Sequence, residues 1–224
     1  CGLVAPKHER VLVPEGTRFE VPAFYSRAFS GLNTPRGLRG QTDIPWRMHT
    51  GHGRYAFHHN IHTFITVEEF GKTHPEYFAM QGGKRMVVSS SAGPGPCISN
   101  PEVVQIIIRK CREFFDKNPD TPAISLGMTD GGWCECPACK AMDEPSLEVN
   151  GARSPKSVRY YKFLNQVAAA IAQSHPGHYI GVLGYAGAEY PPEGFAVERN
   201  IIPYMCYSRA NWYNPEAKAR DLAS

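Results

Sequence analysis

Asp130 stands directly after a short apolar run, Pro122 to Thr129, and just before Gly131 and Gly132. A carboxylate at the C-terminal end of a buried strand sits where barrel enzymes keep catalytic groups, and partial burial there tunes its proton affinity. The plainer reading is an Asp that caps the two-glycine turn by bonding its own backbone. Four residues on, Cys134, Cys136 and Cys139 form a C-x-C-x-x-C cluster, and Cys97 joins them on one face if it ends the preceding strand. Four thiolates suit a structural zinc, because Zn²⁺ takes tetrahedral sulfur ligation and one C-x-x-C turn offers two ligands. Two disulfides would use the same residues: oxidising surroundings favour bridges, and a reducing cytosol favours metal or free thiols. A redox-active pair is the third reading, and it lacks a thioredoxin-like context. All three leave this loop pinned beside Asp130.

His58, His59 and His62 invite a metal reading, since His58 and His62 have the spacing that works on a helix. The surrounding pattern, Tyr55 to Ile65, is strand-like instead. On a strand His58 and His62 share one face, roughly 13 Å apart, too far for one ion, and His59 takes the other face. A single histidine at the strand end, His62, binding a substrate hydroxyl or carboxylate, is the preferred reading. Tyr185, Glu189 and Tyr190 follow one apolar run, and Tyr207, Arg209, Trp212 and Tyr213 follow the last. Aromatic faces stack on sugar rings and an Arg fork holds a carboxylate, although such residues also serve as ordinary loop packing. Arg27, Trp133, Tyr185, Tyr207 and Arg209 are therefore candidate substrate-binding residues beside His62.

The elements that must position these groups follow from pattern. Residues 1 to 20 read as a linker or the edge of a preceding domain, and 21–224 as one α/β domain. Val21 to Arg27 and Tyr55 to Ile65 read as strands. Thr66 to Glu69 is a capping box, which predicts a short helix ending before His74 and Pro75. Asn100 and Pro101 open the clearest helix, with Val104, Ile107, Ile108, Cys111, Phe114 and Phe115 on one face. The run ending at Thr129 suits a buried strand. Ser154 and Pro155 repeat the cap-plus-proline opening, followed by Val158, Tyr161, Leu164, Val167, Ala168 and Ile171 at helical spacing. Tyr179 to Tyr185 and Asn200 to Tyr207 are further buried runs, and Asn214 with Pro215 opens a last helix. Five or six strands alternating with helices predict a parallel sheet. No Gly-x-Gly-x-x-Gly joins a strand to a helix, so a (β/α) TIM-type barrel, incomplete in this chain, is the expected architecture.

Composition narrows the partners. Twenty-four Lys and Arg oppose 21 Asp and Glu for a net charge of +3, with no basic run to track a phosphate backbone, so nucleic acid is not an expected partner. No apolar run reaches the ~20 residues of a membrane span. The chain opens on Cys1 and closes as if within a helix, which reads as a fragment with neighbouring domains.

Several motifs together resemble the bacterial domain-of-unknown-function family 4838, whose members are glycoside-hydrolase-like. They are His62 to Ile65, His74 to Ala79, Gly83 to Arg85, Cys97 to Val103, and Asp130 to Cys139, with the resemblance continuing through the Ser157 to Ile171 segment to Tyr185. The stretch from His74 to Phe78 and that from Asn100 to Val103 are also similar, more loosely, to alpha-glucuronidases. The resemblance implies a barrel, a carbohydrate substrate, polysaccharide degradation and an extracytoplasmic setting. Thr129 stands where related sequences tend to have Asn, and the loop after Tyr185 is less Tyr-rich and less basic than theirs. The expected reaction is glycoside hydrolysis, with Asp130 as first carboxylate and Glu189 as second, and no cofactor needed for catalysis. The rivals are a sugar-binding barrel without turnover and a zinc- or disulfide-stabilised structural domain.

Overall fold

A computed structural model of the chain describes residues 16, 55–149, 152–190, 192 and 194–206. The chain divides between Arg54 and Tyr55, and Gly16 apart, everything described belongs to the second unit. The expected boundary near residue 20, the Val21 to Arg27 strand and the helix at Asn214 lie outside the described residues.

Asn100 opens helix α2, Pro101–Lys117, by accepting the amide of Glu102 at 2.9 Å, with Pro101 filling the first helical position. Its stripe of Val103, Val104, Ile107, Ile108, Cys111 and Phe115 is buried. A shorter helix α1, Val67–Phe70, begins as the capping box predicts, the Thr66 hydroxyl accepting from the Glu69 amide. The Glu69 carboxylate in turn accepts a hydrogen bond from the Thr66 hydroxyl at 3.2 Å. Two small antiparallel ladders follow the same chain: β1, Met80–Gln81, with β2, Lys84–Arg85, and β4, Glu148–Val149, with β5, Ala152–Arg153.

The sheet that organises the domain has three parallel strands in the order β3, Ala123–Ser125, then β6, Tyr179–Gly184, then β7, Ile201–Met205. Helix α4, Ser157–Ser174, is the crossover between β3 and β6. One face of the sheet, carrying Ile124, Leu126, Met128, Ile180, Val182 and Ile201, forms a single core with the stripes of α2 and α4. At roughly 25 cal/mol per Å² of apolar surface removed from water, this is the main driving term for the layer. The helix opening expected at Ser154 is displaced to Ser157, because the fully buried Ser154 hydroxyl turns to the Glu189 carboxylate instead of capping the helix.

The opposite face of the sheet is covered by the extended segment 55–58. The Ser125 hydroxyl donates to the carbonyl of His58 at 2.7 Å and accepts its amide at 2.8 Å. Tyr55 meets Tyr179 edge-on at 5.3 Å, and Phe57 stacks on Tyr204 at 3.9 Å. Such close approach needs glycine beneath it. A Cβ on Gly181 would lie 1.6 Å from the Ala56 carbonyl oxygen, and one on Gly127 would lie 2.3 Å from that of His58. The strand expected from Tyr55 to Ile65 is shorter than its pattern. It makes one parallel bridge, His59 to Gly127; then the amides of Asn60 and Ile61 both turn to the Gly127 carbonyl, ending the ladder. A 3-10 turn, Ile61–Thr63, takes over.

Candidate functional site

The loop after β3 has two ends, and Cys134, Cys136 and Cys139 make the further one. Cys136 caps the short helix α3, Pro137–Lys140, and Cys139 falls in that helix, so the turn directs two sulfurs to one point. Cys97, held by its amide to the Tyr77 carbonyl at 2.9 Å, supplies the fourth. All four are buried and unbridged, and their sulfurs lie within 4.8 Å of one another. Cys97 Sγ is 3.6 Å from Cys136 Sγ and 3.9 Å from Cys139 Sγ. Four sulfurs bound tetrahedrally at about 2.3 Å from a zinc ion stand about 3.8 Å apart. The donor set is therefore spaced and buried as a metal site requires.

The surroundings of the sulfurs are those of thiolate ligands. The Met80 amide donates to Cys134 Sγ at 3.2 Å, and the Ser99 hydroxyl lies 3.1 Å from Cys139 Sγ. Hydrogen bonds from Cys134 and Cys139 pull Cys97 far below the ordinary thiol range, while bonds with Cys139 and Cys97 push Cys134 up. Arg85 faces Cys97 with a positive charge while donating to the Phe78 carbonyl at 2.8 Å. Outer donors of this kind orient metal ligands and offset their charge. Cys111 is a different case, a lone buried thiol in α2 whose ionisation burial alone suppresses.

Asp130 makes the near end. Its amide donates to the Ser91 carbonyl at 2.9 Å, and the next amide, Gly131, to Gly93 at 3.1 Å. The side chain is 53% exposed and points at His59, whose Nε2 is 3.4 Å from Oδ1. The His59 Nδ1 bonds the Met128 carbonyl. Tyr185, at the end of β6, meets the His59 ring edge-on at 5.7 Å. The Asp130 charge raises the Tyr185 hydroxyl above its ordinary range. His62 lies nearby; burial first, and then the His59 charge, lower its proton affinity. A carboxylate, two imidazoles and a phenol thus gather where β3, β6 and the 55–60 segment end, a polar group able to bind hydroxyls and move protons.

The residue between the ends was not visible in the sequence. Arg159, at 0% exposure in the first turn of α4, donates to the Cys134 carbonyl at 2.7 Å and lies 5.2 Å over the Trp133 ring. Its charge is met by Asp143, 3.2 Å away, which also takes Lys156 at 2.6 Å. A charged residue early in a helix ordinarily reads as solvated, and no spacing signal marks Arg159 as buried.

The remaining candidates are placed as follows. Trp133 is half-buried; its indole N–H donates to the Ala186 carbonyl at 2.8 Å, which ties the two strand-end loops together and holds Ala186 in a left-handed conformation, φ 54°. Glu189 accepts the Gly187 amide at 3.0 Å and the Ser154 hydroxyl at 3.5 Å. Burial, and then the Glu189 charge, raise Tyr161. His58 uses its backbone on Ser125 and exposes its ring. Arg27, Tyr207 and Arg209 lie outside the described residues. His59, read from alternation as facing away from the site, belongs to it. The ladder stops at His59 rather than Ile65, so the strand-end position falls to His59, and His62 follows on a 3-10 turn.

Fold and site together define a mixed α/β domain with parallel strands, a buried four-cysteine group beside the strand ends, and a carboxylate, histidine and tyrosine cluster upon them. The chain belongs to the family described as Domain of unknown function (DUF4838), which matches residues 2–221, as the motifs around Cys97 and Asp130 implied. No match was found among curated proteins or among solved structures. Among the described residues no helix is long and apolar enough to cross a membrane.

Proposed function

We propose that this domain is the (β/α)-barrel part of a carbohydrate-active enzyme, a glycoside hydrolase in which Asp130 is one of the reacting carboxylates and the four cysteines hold a structural zinc. The observation that carries the reading is the position of Asp130 in the loop after the parallel strand β3, half-exposed, with His59 beside it and Tyr185 against the His59 ring. Barrel enzymes draw catalytic groups from the ends of several strands, and these three residues come from three separate segments. The second carboxylate of such a pair is assigned to Glu189, which follows β6 and is oriented by Gly187 and Ser154. Zinc supplies no step here: it cross-links Cys97 to the 134–139 loop and so fixes the residues leading from Asp130.

A panel of aryl glycosides and aryl uronides offered to the full-length protein tests this. The expected result is turnover of at least one, with Asp130→Asn lowering kcat about 10²- to 10⁴-fold, the usual worth of a proton-handling group. Sugar binding with no turnover by the wild type would replace the hydrolase reading with a binding domain on the same scaffold. Unchanged kcat in Asp130→Asn would remove Asp130 from the chemistry.

A further inference from the structure

We infer that Trp133 is a positioning residue: its indole N–H latches the turn 185–188 in a left-handed form and so places Tyr185 and Glu189, on the loop after β6, relative to Asp130, on the loop after β3. The placement stands on the geometry of the two loops; its consequence for turnover rests on the hydrolase reading above.

The loop after β6 turns back as soon as it leaves the strand. The Ala188 amide donates to the Tyr185 carbonyl at 3.2 Å, closing a four-residue turn whose central residues, Ala186 and Gly187, have φ 54° and φ 89°. Positive φ at both central positions is the pattern of a type I′ turn, which favours Asn or Asp followed by Gly. Gly187 meets that demand and Ala186 does not. An alanine in this backbone form keeps it only where its neighbours over-determine it. Among the described residues Ala186 is the one non-glycine with positive φ. Ala188 is fixed, being fully buried in the core, whereas Ala186 is exposed and has no packing to hold it. The peptide between Ala186 and Gly187 must therefore be held by hydrogen bonds.

Both of its polar groups are so held. The Ala186 carbonyl accepts the Trp133 indole N–H at 2.8 Å, and the Gly187 amide donates to Glu189 Oε1 at 3.0 Å. Carbonyl and amide of one trans peptide point in opposite directions, so fixing the first aims the second. The Trp133 bond thus decides where the Glu189 carboxylate is caught. From the segment before α4, the Lys156 amide donates to the Gly187 carbonyl at 2.7 Å and the Ser154 hydroxyl meets the second Glu189 oxygen at 3.5 Å. Trp133 is the hold from the other side, three residues beyond Asp130. It can serve as a fixed point because it is itself gripped. Arg159 lies 5.2 Å over its ring, and the fully buried Tyr160 meets it edge-on at 5.3 Å. An indole has one donor and no acceptor, and Trp133 spends that donor on the backbone. A ring with a guanidinium over it and its only donor engaged is built into the protein, so positioning replaces the substrate contact expected for it from sequence.

Two measurements on the full-length protein test the latch, the first without any substrate. Hydrogen exchange followed by NMR reads the Gly187 amide. In Trp133→Phe, which keeps an aromatic ring and removes the donor, that amide is expected to exchange about 5- to 10-fold faster, the worth of one hydrogen bond. Ala186→Asn supplies the Asn-Gly pair that a left-handed turn prefers. In that background Trp133→Phe should change the exchange by about 2-fold or less, because the turn then holds its form without the indole. Any loosening of the packing around the ring is common to both backgrounds, so their difference isolates the latch. Exchange at Gly187 unchanged by Trp133→Phe, or accelerated equally in both backgrounds, overturns the proposal whatever the activity. The second measurement uses an aryl glycoside that the wild type turns over. Trp133→Phe is expected to lower kcat about 5- to 10-fold with KM unchanged, and adding Ala186→Asn to restore most of the loss. A rise confined to KM would make Trp133 a substrate contact and sink the positioning role while leaving the hydrolase reading intact. Wild-type protein that turns over no glycoside removes the hydrolase reading, and the exchange result alone then decides the latch.

Discussion

The two ends of the loop from Asp130 to Lys140 are built on opposite physical terms. At the cysteine end four sulfurs are withdrawn from water, their neighbours are amides, a hydroxyl and a guanidinium, and a short helix aims two of them at one point. At the Asp130 end the carboxylate is half-exposed and its partners are ionisable side chains on separate segments. Soft, buried, closely spaced donors suit a permanent ion, whereas hard, solvated donors with movable protons suit a ligand that arrives and leaves. The difference teaches that the signature Asp-x-x-x-Cys-x-Cys-x-x-Cys spans two unlike environments; in the proposed function the buried one stays still so that the exposed one can be placed.

Removing the clamp has the largest expected effect. Chelation, or Cys136→Ser with Cys139→Ser, should cost at least about 5 kcal/mol, roughly 10–20 °C in the unfolding midpoint of a domain this size. Calorimetry with metal analysis checks it; a midpoint unmoved by chelator in protein that contains no zinc would remove the zinc assignment. Hydrogen exchange sharpens the comparison further. The Glu135 amide, bonded to the Met80 carbonyl at 2.7 Å within the clamp, should lose protection, while the Asp130 amide, bonded to Ser91, should keep most of it. Equal loss at both would mean that the ends are one unit.

The next effect in size concerns the residue that joins them. Arg159→Leu takes away the donor to the Cys134 carbonyl and the cation over Trp133, and leaves the buried Asp143 with Lys156 alone. Breaking one side of a buried charge arrangement costs about 3–5 kcal/mol, and urea unfolding should show it. The double variant Arg159→Leu, Asp143→Leu should recover part of that loss, because no carboxylate is then left facing an apolar side chain. A loss under about 1 kcal/mol for Arg159→Leu would show that the two ends hold their positions without it.

How much of this was legible from sequence depended on whether a residue's role is set locally. Asn100 and Pro101 open α2 where expected because a cap acts within one turn, and Cys97 was picked as the fourth cysteine from its place just before that helix, on the condition that it ended a strand; it joins the group from a loop instead, its amide held by the Tyr77 carbonyl. Ser154 misled, since its hydroxyl has a partner, Glu189, 35 residues away that outcompetes the helix end. His62 was preferred to His59 because the apolar pattern runs on to Ile65, whereas the ladder ends where Gly127 accepts two amides at once. Arg159 was invisible for the same reason: its burial depends on Asp143 and Cys134, neither of which it neighbours in sequence.

The smallest expected effect bears on the Asp130 end alone. Gly131 lies against the chain at Gly93 and Pro94, where an added Cβ would stand 2.1 Å from the Gly93 carbonyl carbon and 2.4 Å from the Pro94 nitrogen. Those atoms are backbone, so Gly131→Ala must separate the two segments rather than turn a side chain aside, at about 1–3 kcal/mol. The bonds at risk are those of the Asp130 and Gly131 amides to Ser91 and Gly93, which orient the carboxylate toward His59. The four sulfurs are joined to other segments, through Tyr77, Met80 and Arg159, and should keep their metal. Zinc content equal to wild type, a modest loss in urea and a shifted Asp130 carboxyl NMR signal are therefore expected together. Loss of zinc in Gly131→Ala would show that strain at Asp130 travels four residues to Cys134, and the division of the loop into a fixed end and a reacting end would have to be given up.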